Sequence, residues 1–320
     1  MMRRRDDILD PRIRLRHLTC FLEVTRLKSV GRAAELLGVT QPAVSKTLHE
    51  LEDILGVPLF DRTRRTLVPT GYGEVFLRYA GTSLATLKQG VRSLTRTEPV
   101  AAIGAAGTVS GSILPAAIRQ FSTQGFAVTL RVVDGPLSVL VSQLRDGDVD
   151  LVIGRMAEPD SMRGLSFEPL YSEEIAVVVR PGHPLLTPPL LDVGALGDFP
   201  VLLPPAGSIV RPTVDRFLTA HAIGPFPSMI ETVSAAFARS YVRMTDAIWI
   251  ISWSNAAGDV EQGTLVRLPI DTSDTMGPVG FTTRTDMVPS LAVQMVAQAV
   301  RNVVAVRFAE GIDAWGRSPA

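Results

Sequence analysis

The sequence predicts an α+β protein of several domains, with a small helical N-terminal head, one long connecting helix and a larger α/β C-terminal body. Three observations support this prediction. The 320 residues exceed the length of one small domain. Residues 72–97 contain no proline and repeat apolar residues at helical spacing. From residue 98 onwards apolar strands alternate with amphipathic helices, which is typical of parallel sheets covered by helices.

Charge is distributed unevenly along the chain, although the formal net charge is zero. Residues 1–97 contain 17 Lys and Arg against 10 Asp and Glu, a net charge of +7. The remaining residues contain 15 against 22, a net charge of −7. A basic head on an acidic body is typical of a DNA-binding module joined to a part that does not bind DNA. Double-stranded DNA is therefore the first predicted partner.

Residues 29–62 begin with the pattern of a helix-turn-helix. Gly38 follows the last apolar residue of a short helix, where helices commonly end in a left-handed residue. Thr40 is the predicted N-cap of the next helix, and Pro42 lies in its first turn, where a missing N–H costs little. The residues of this second helix that are predicted to face inward, at spacings of four, three and four, are Val44, Leu48, Leu51 and Leu55.

A polar stripe on the same helix is the predicted DNA-reading surface. Gln41, Ser45 and His49 follow one another at intervals of four, with Pro42 and Lys46 beside them. Short hydrogen-bonding side chains in this arrangement read base edges in a major groove. An ordinary helical hairpin with a solvated polar face is the alternative, and the basic charge of the head favours DNA.

Residues 57–71 predict a two-stranded wing after the helix-turn-helix. Arg62, Arg64 and Arg65 lie between its two short apolar runs and are predicted to contact phosphates or a minor groove. A solvated charged hairpin is the alternative interpretation.

The long helix carries apolar residues at the spacing of a heptad seam. Pairing of this helix with its copy in a second chain would suit a DNA-binding head, because a dimer reads two half-sites. The seam is only about three heptads long, so packing against another domain of the same chain is the alternative. The seam consists of Leu77, Ala80, Leu84, Leu87, Val91 and Leu94.

Two segments of the C-terminal body have the same layout, residues 101–121 and residues 200–218. Each runs from a strand through a loop rich in Gly and Ser to a proline and a helix. Such loops present hydroxyls and amides at a helix start, which is a site for an anion. Two of them facing across a cleft would form a small-molecule pocket. Arg211, at the start of the second helix, is predicted to hold a carboxylate, unless it pairs with Asp215 four residues later.

No motif of catalysis, nucleotide binding or metal binding is found. GxxxxGK[ST], GxGxxG after a strand and GxSxG are all missing from the sequence. Glu173 and Glu174 begin a strand and are expected to be solvated. We therefore expect no enzyme activity, no catalytic residues, no cofactor and no metal. The histidines, none of which has a partner at ligand spacing, are His17, His49, His183 and His221.

Targeting and redox signals are equally sparse. The first ten residues carry positive charge but no apolar core, so they do not form a secretory signal. No run of 18 apolar residues predicts a membrane span. Cys20 is the single cysteine and is expected to be a small core residue. A cytoplasmic location without membrane association is predicted.

Residues Phe21 to Glu52 follow the pattern F-x-x-V-x-x-x-x-S-x-x-x-A-A-x-x-L-x-V-T-Q-P-A-V-S-K-x-x-x-x-L-E. The motifs G-V-x-L-F-x-R-x-x-R and P-T-x-x-G come next. Together they resemble the LysR-type transcriptional regulators. This resemblance implies a winged helix-turn-helix domain at 13–71, a dimerising linker helix at 72–97 and an effector-binding domain at 98–320. The last would resemble periplasmic binding proteins, with subdomain I at about 98–175 and 275–310 and subdomain II at about 176–274.

The resemblance also implies partners and site residues. A homo-oligomer (dimer or tetramer), a small-molecule effector and RNA polymerase are the implied partners. Base and phosphate contacts fall on Gln41, Pro42, Ala43, Ser45 and Lys46, and wing contacts on Arg62, Arg64 and Arg65. Effector contacts fall on Gly107, Thr108, Ser110, Gly207, Ser208 and Ser234.

Two later segments resemble the branch that regulates protocatechuate catabolism and sugar-binding-protein genes. These are the segment TDAIWIIS from Thr245 and the segment TMGPVGFTTR from Thr275. The branch implies a carboxylated effector. Many relatives have a Gly-rich turn where this chain has residues 244–247, so a different pocket wall is expected there. The alternative function is a constitutive architectural DNA-binding protein whose C-terminal half serves only oligomerisation.

Overall fold

The computed structural model describes residues 10–61, 67–95, 100–187 and 191–309. The chain divides into two compact units, with the break between the long helix and the first strand of the C-terminal body. The predicted fold class is confirmed, because a helical head with a two-stranded ribbon precedes a body built on two five-stranded sheets.

The first unit contains the helix-turn-helix and the long helix. Ser29 caps the second helix by accepting the Arg32 amide, and Gly38 ends it at φ +66°. Thr40 caps the third helix by accepting the Ala43 amide at 3.4 Å, as its position in the sequence predicted. The elements are α1 (Leu15–Leu27), α2 (Val30–Leu37), α3 (Gln41–Leu55), β1 (Phe60–Asp61), β2 (Val68–Pro69) and α4 (Gly71–Thr95).

Phe21 is the centre of the core of this unit. Its ring lies 5.3 Å from the ring of Phe60 in β1 and 5.1 Å from that of Phe76 in α4. Val44, Leu48 and Leu51 are buried against it, Leu55 packs at the edge, and Cys20 is a small buried residue as expected.

The P-T-x-x-G motif joins the base of the ribbon to the start of α4. The Thr70 hydroxyl donates to the Pro58 carbonyl at 2.7 Å and accepts the Gly73 amide at 3.1 Å. A Cβ at Gly73 would clash with the carbonyl oxygen of Leu59, so only glycine permits this close approach. The motif is therefore a structural joint.

The seam of α4 serves two different contacts along its length. Leu77 and Ala80 pack against the core of the head. Leu84 is half-buried, whereas Leu87 is 49% exposed and Val91 is 54% exposed. Packing within the head thus accounts for the start of the seam, and Leu87 and Val91 are largely exposed beyond it.

The alternating strands and helices of the C-terminal body form two sheets, and the elements between the strands cover both faces of each sheet. This body contains the remaining helices and strands. They are β3 (Val100–Ala105), α5 (Gly107–Ser110), α6 (Leu114–Ser122), β4 (Thr129–Asp134), α7 (Leu137–Asp146), β5 (Leu151–Arg155), β6 (Leu165–Glu173), β7 (Ile175–Val179), β8 (Val201–Leu203), α8 (Arg211–Ala220), β9 (Met229–Glu231), α9 (Ala235–Met244), β10 (Ile248–Ser252), α10 (Ala257–Glu261), β11 (Val266–Arg267), β12 (Gly277–Arg284) and α11 (Leu291–Ala309).

The two sheets have the strand orders β4-β3-β5-β12-β6 and β11-β7-β10-β8-β9. The expectation of parallel sheets is wrong in part, because β12 is antiparallel to β5 and β6, and β7 is antiparallel to β10 and β11. The reason is the double crossing of the chain. It leaves the first sheet through β6, enters the second through β7, and returns through β12.

Apolar residues fill the space between each sheet and its helices. In subdomain I, α6 and α11 cover one face of the sheet, where Leu114 and Val300 are buried. The opposite face packs against α7 through Leu140 and Leu144. Burial of the sheet on both faces explains why its central strands are apolar without alternation.

Candidate functional site

The predicted DNA-reading stripe lies on the open side of α3. Gln41, Pro42, Lys46 and His49 are exposed, and Ser45 is half-exposed. Ala43 is exposed beside them, and the buried face of α3 points the other way. An uncovered row of polar side chains at the start of a helix suits contact with base edges. The wing arginines Arg62, Arg64 and Arg65 lie outside the described residues.

Two acidic side chains fix α3 within the head, and sequence reasoning missed both. Glu52 accepts the amides of Leu59 at 2.8 Å and Phe60 at 3.2 Å, which attaches β1 to the end of α3. Glu50 lies 3.5 Å from Nε2 of the buried His17 in α1. The Leu-Glu pair that ends the long motif was the available signal for Glu52. Contacts across 34 residues, such as that of Arg16 with Glu50 at 3.0 Å, leave no local pattern.

Loops of the two subdomains meet at the carboxyl ends of their parallel strands, and the region between these loops is called the cleft below. Loop I (residues 106–112) follows β3, and loop II (residues 204–210) follows β8. The turn Trp253–Asn255 follows β10, and a Cβ at Gly107 would lie 3.1 Å from Oδ1 of Asn255. Ile209 of loop II packs against the α7 side of subdomain I. Ligands of open α/β sheets bind in such crevices outside the strand ends.

Loop I contains a short helical turn of its own, which the sequence pattern did not reveal. The amides of Val109 and Ser110 both donate to the Ala106 carbonyl, at 2.8 and 3.0 Å. Thr108 is 9% exposed, and its buried Oγ1 has no hydrogen-bond partner among the described residues. A buried polar atom without a partner calls for an explanation such as a bound ligand.

Loop II differs from the expectation in one respect. Gly207 has φ +84°, a conformation that favours glycine. The Ser208 amide donates to the Pro205 carbonyl at 3.1 Å, and the Arg211 amide donates to the Ser208 carbonyl at 3.1 Å. These amides are therefore not available to an anion, contrary to the sequence argument. The buried hydroxyl of Ser208 is available, since it has no partner in the described part of the chain.

Arg211 faces its own subdomain and does not reach across the cleft. Its guanidinium pairs with Asp215 at 2.7 Å and Glu231 at 2.5 Å, and it donates to the Pro204 carbonyl at 2.8 Å. The hydrogen bonds with Asp215 and Glu231 raise the pKa of Arg211. The alternative given above, a pair with Asp215, is thus what the structure shows. Ser234 caps α9 by accepting the Phe237 amide at 3.2 Å.

Arg239 in α9 is the arginine that lies beside loop I. Its Nη2 donates to the Asn255 carbonyl at 2.8 Å and is 4.0 Å from the place of a Cβ at Gly111. Its Nε pairs with Asp259 at 2.5 Å, and Arg243 pairs with the same carboxylate at 2.5 Å. Sequence reasoning missed this group because its members come from α9, α10 and the turn before α10.

Glu173 and Glu174 were expected to be solvated, and this expectation is wrong. Both side chains are buried where the chain crosses between the sheets. Glu173 accepts hydrogen bonds from the Ser254 amide and hydroxyl and lies 3.6 Å from Arg155. Glu174 binds Arg267 at 2.8 Å and Thr272 at 2.5 Å. Burial raises the pKa of Glu173. The local sequence resembles a solvated strand end, and residues distant in the chain, including Arg155 and Ser254, bury Glu173 in the folded protein.

The turn at residues 244–247 is not a wall of the cleft, contrary to the expectation. It precedes β10, whereas the cleft lies at the opposite end of that strand. Asp246 there pairs with Arg180 at 2.6 Å, so side-chain contacts hold the turn. Its departure from a Gly-rich pattern therefore lies outside the loops that form the cleft.

The described residues contain no group of three His, Cys, Asp or Glu side chains arranged to hold a metal ion. Among the described helices, none is both long and apolar enough to cross a membrane.

Comparison with known families identifies the family to which this architecture belongs. The LysR substrate binding domain matches residues 97–305, and the bacterial regulatory helix-turn-helix protein, lysR family, matches residues 15–74. The chain belongs to the LysR family of transcriptional regulators. Regulators of this family combine a DNA-binding helix-turn-helix domain with an effector-binding domain, which is the arrangement described above.

Three relatives among the LysR-family regulators are similar over most of the chain. PcaQ of Agrobacterium fabrum is 48% identical over 305 residues, which cover 94% of this chain and 98% of the relative. YdcI of Escherichia coli is 36% identical, with 93% and 98% covered. GalR of Pseudomonas putida is 32% identical, with 90% and 74% covered.

Solved structures of full-length LysR-family proteins share the fold. LysG from Corynebacterium glutamicum, with bound effector Arg, has a TM-score of 0.57 and 19% identity, covering 92% of this chain and 99% of LysG. CbnR in complex with its target DNA has a TM-score of 0.51 and 20% identity, covering 91% and 100%. At these identities the likeness shows the fold alone.

Proposed function

We propose that this LysR-family protein is a sequence-specific regulator whose activity is controlled by a small carboxylated metabolite bound in the cleft of its C-terminal body. The observation that carries this proposal is the pair of buried hydroxyls without partners, Thr108 in loop I and Ser208 in loop II. Burying a hydroxyl without a hydrogen bond is unfavourable, so a ligand that accepts hydrogen bonds from both hydroxyls would be stabilised in the cleft.

The class of effector follows from the hydrogen-bonding capacity of this site. A hydroxyl donates one hydrogen bond, and a carboxylate accepts several through its two oxygens. The resemblance to the protocatechuate branch and the 48% identity with PcaQ favour carboxylated intermediates of aromatic breakdown. The proposed effector residues are Gly107, Thr108, Ser110, Gly207, Ser208 and Ser234, and the partners of Arg211 argue against a direct role for that residue.

The DNA-binding part of the proposal assigns base contacts to the stripe of Gln41, Ser45 and His49, and phosphate contacts to Lys46 and the wing. The domains are proposed at 13–71, 72–97 and 98–320. Two chains would pair through α4, so that two heads meet two half-sites. RNA polymerase is the further proposed partner and the cytoplasm the proposed location.

Calorimetry on the full chain tests the effector class. The probes are sodium benzoate, 3,4-dihydroxybenzoate and succinate, each compared with its neutral amide. We expect at least one anion to bind about tenfold or more tightly than its amide and to change affinity for DNA, because an ionised acceptor roughly doubles the strength of a hydrogen bond. Equal affinities, or a response only to neutral sugars, would contradict a carboxylated effector. DNA binding that no probe alters favours the constitutive architectural alternative.

A further inference from the structure

We infer that Arg239 is the cation that recognises the carboxylate of the effector, acting beside the Thr108 hydroxyl at loop I. The inference rests on the proposed function and adds a residue that determines specificity. It replaces the sequence-based assignment of this role to Arg211. Three observations carry it: the charge of each arginine's surroundings, the position of Arg239 at loop I, and the unpartnered hydroxyl there.

Arg211 and Arg239 differ in the net charge of the ion-pair group to which each belongs. Arg211 is paired with two carboxylates, Asp215 and Glu231, so this trio has a net charge of −1 and repels a further anion. Arg239 shares Asp259 with Arg243, so this second trio has a net charge of +1. The shared Asp259 carboxylate is 9% exposed, whereas the Arg239 and Arg243 side chains are 33% and 42% exposed, so the excess positive charge lies on side chains that solvent can reach. An anion is the natural partner for the excess cation.

The contacts of Arg239 place this excess positive charge beside loop I. Nη2 of Arg239 donates to the Asn255 carbonyl, and the Asn255 side chain lies over Gly107. The same nitrogen lies near Gly111, four residues further along the loop. Gly107 and Gly111 thus bracket Thr108, whose buried Oγ1 has no partner among the described residues.

The guanidinium also retains capacity for a ligand. Its bonds to Asp259 and Asn255 use Nε and Nη2, and Nη1 makes no hydrogen bond to any described residue. The planar fork of an arginine matches the geometry of a carboxylate. Asp259 and the Asn255 carbonyl hold Arg239 in place, so little side-chain freedom is lost when a ligand binds.

Arg239→Gln and Arg243→Gln form a matched pair for the test. Each removes one of the two guanidiniums on Asp259, and only Arg239 lies beside loop I. Calorimetry on the full chain uses the probes given above, the three carboxylate salts and their amides. We expect Arg239→Gln to weaken binding of the preferred anion by about 10- to 100-fold while changing amide binding less than about threefold. Arg243→Gln should change both by less than about threefold.

Arg239→Lys keeps the charge without the fork and should restore part of the preference for the anion. Thermal unfolding of each variant reports on folding. Equal effects of the two Gln variants would overturn the inference, because a structural role on Asp259 predicts equal loss. Retained preference for the anion in Arg239→Gln would overturn it while leaving the carboxylated effector intact. If the wild type prefers no anion over its amide, both proposals fall.

Discussion

The polar side chains in the cleft differ in whether the protein itself provides their hydrogen-bond partners. Arg211 has three partners within subdomain II, and the Ser234 hydroxyl serves as a helix cap. The Thr108 and Ser208 hydroxyls are buried without partners. A group already satisfied by the fold gains little from a ligand, whereas an unsatisfied one gains a full hydrogen bond. This difference cannot be read from the residue types, and it identifies Thr108 and Ser208 as the candidate ligand contacts.

Thr108→Val tests this argument with a side chain of the same shape. Without ligand, we expect the melting temperature to stay unchanged or to rise, because the variant removes an unsatisfied buried hydroxyl. With the preferred carboxylate probe, affinity should fall by about 0.5–1.5 kcal/mol, the net contribution of one hydrogen bond. Thr219→Val, whose hydroxyl donates to the Asp215 carbonyl, should leave affinity for the probe unchanged. Destabilisation of the free protein by Thr108→Val would contradict the assignment.

Gln41→Ala tests the DNA-reading stripe. We expect discrimination at one base pair of the operator to fall by about 1–3 kcal/mol, because a bidentate contact to a base edge is lost. Lys46→Ala should instead weaken binding to all sequences and reduce the salt slope by about one. Fluorescence anisotropy on an operator selected from random DNA, with single-base variants, measures both. Unchanged sequence preference in Gln41→Ala would show that the stripe is assigned wrongly.

At the scale of elements, α4 combines two roles along its length. Its first turns complete the core of the head through Phe76, Leu77 and Ala80. The exposed Leu87 and Val91 continue the same seam beyond that core. A heptad spacing shows only that one face of a helix is apolar, and it does not tell whether one chain or two cover that face.

Replacing both Leu87 and Val91 by Asp tests whether two chains pair through α4. Because both side chains are exposed in the single chain, the variant should keep the melting temperature of the head. Two chains that pair would bury unpaired charge, which is strongly unfavourable, so light scattering should show smaller species and footprinting weaker occupancy. The control, Ser83 and Thr86 both replaced by Asp, adds the same charge at exposed positions off the seam. Undiminished dimers in the first variant would reject pairing through this seam.

At the scale of the whole molecule, the double crossing of the chain buries two adjacent acids. Glu173 ends β6 in the first sheet, and Glu174 precedes β7 in the second. Arg155 and Ser254 reach Glu173 from different subdomains. A Cβ at Gly277 would clash with the Arg155 guanidinium, so glycine at the start of β12 makes room for this buried pair.

Glu173→Gln tests the consequence for pH. Since burial raises the pKa of Glu173, the native state holds a proton that the unfolded state has lost, and stability falls as pH rises above 4.5 towards the native value. The melting temperature of Glu173→Gln, relative to wild type, should therefore rise with pH in this window.

Glu168→Gln is the matched control with the opposite sign. The hydrogen bond from Arg301 lowers the pKa of Glu168, so its contribution is present above 4.5 and is lost as pH falls below that value. The effect is smaller because this side chain is half exposed. A Glu173→Gln difference that does not change with pH would contradict the buried ionisable site.

The sequence by itself determined the elements whose signals are local. Gly38, Thr40 and Pro42 end and begin helices through contacts within one turn, so the helix-turn-helix could be predicted residue by residue. The periodicity of α3 likewise fixed its buried face, and therefore the exposed stripe opposite it. The uneven charge of the two ends of the chain indicated DNA as a partner before any fold was known.

Only the tertiary structure decided which polar groups are satisfied and by what. Arg239 meets loop I because the carboxyl ends of two sheets converge, and Glu173 is buried because the chain crosses between those sheets. The antiparallel direction of β7 and β12 follows from the same crossing. These contacts join residues far apart in the chain, and a sequence pattern records spacing along the chain and not distance in space. Burial and pairing of charge therefore become known only when the chain is folded.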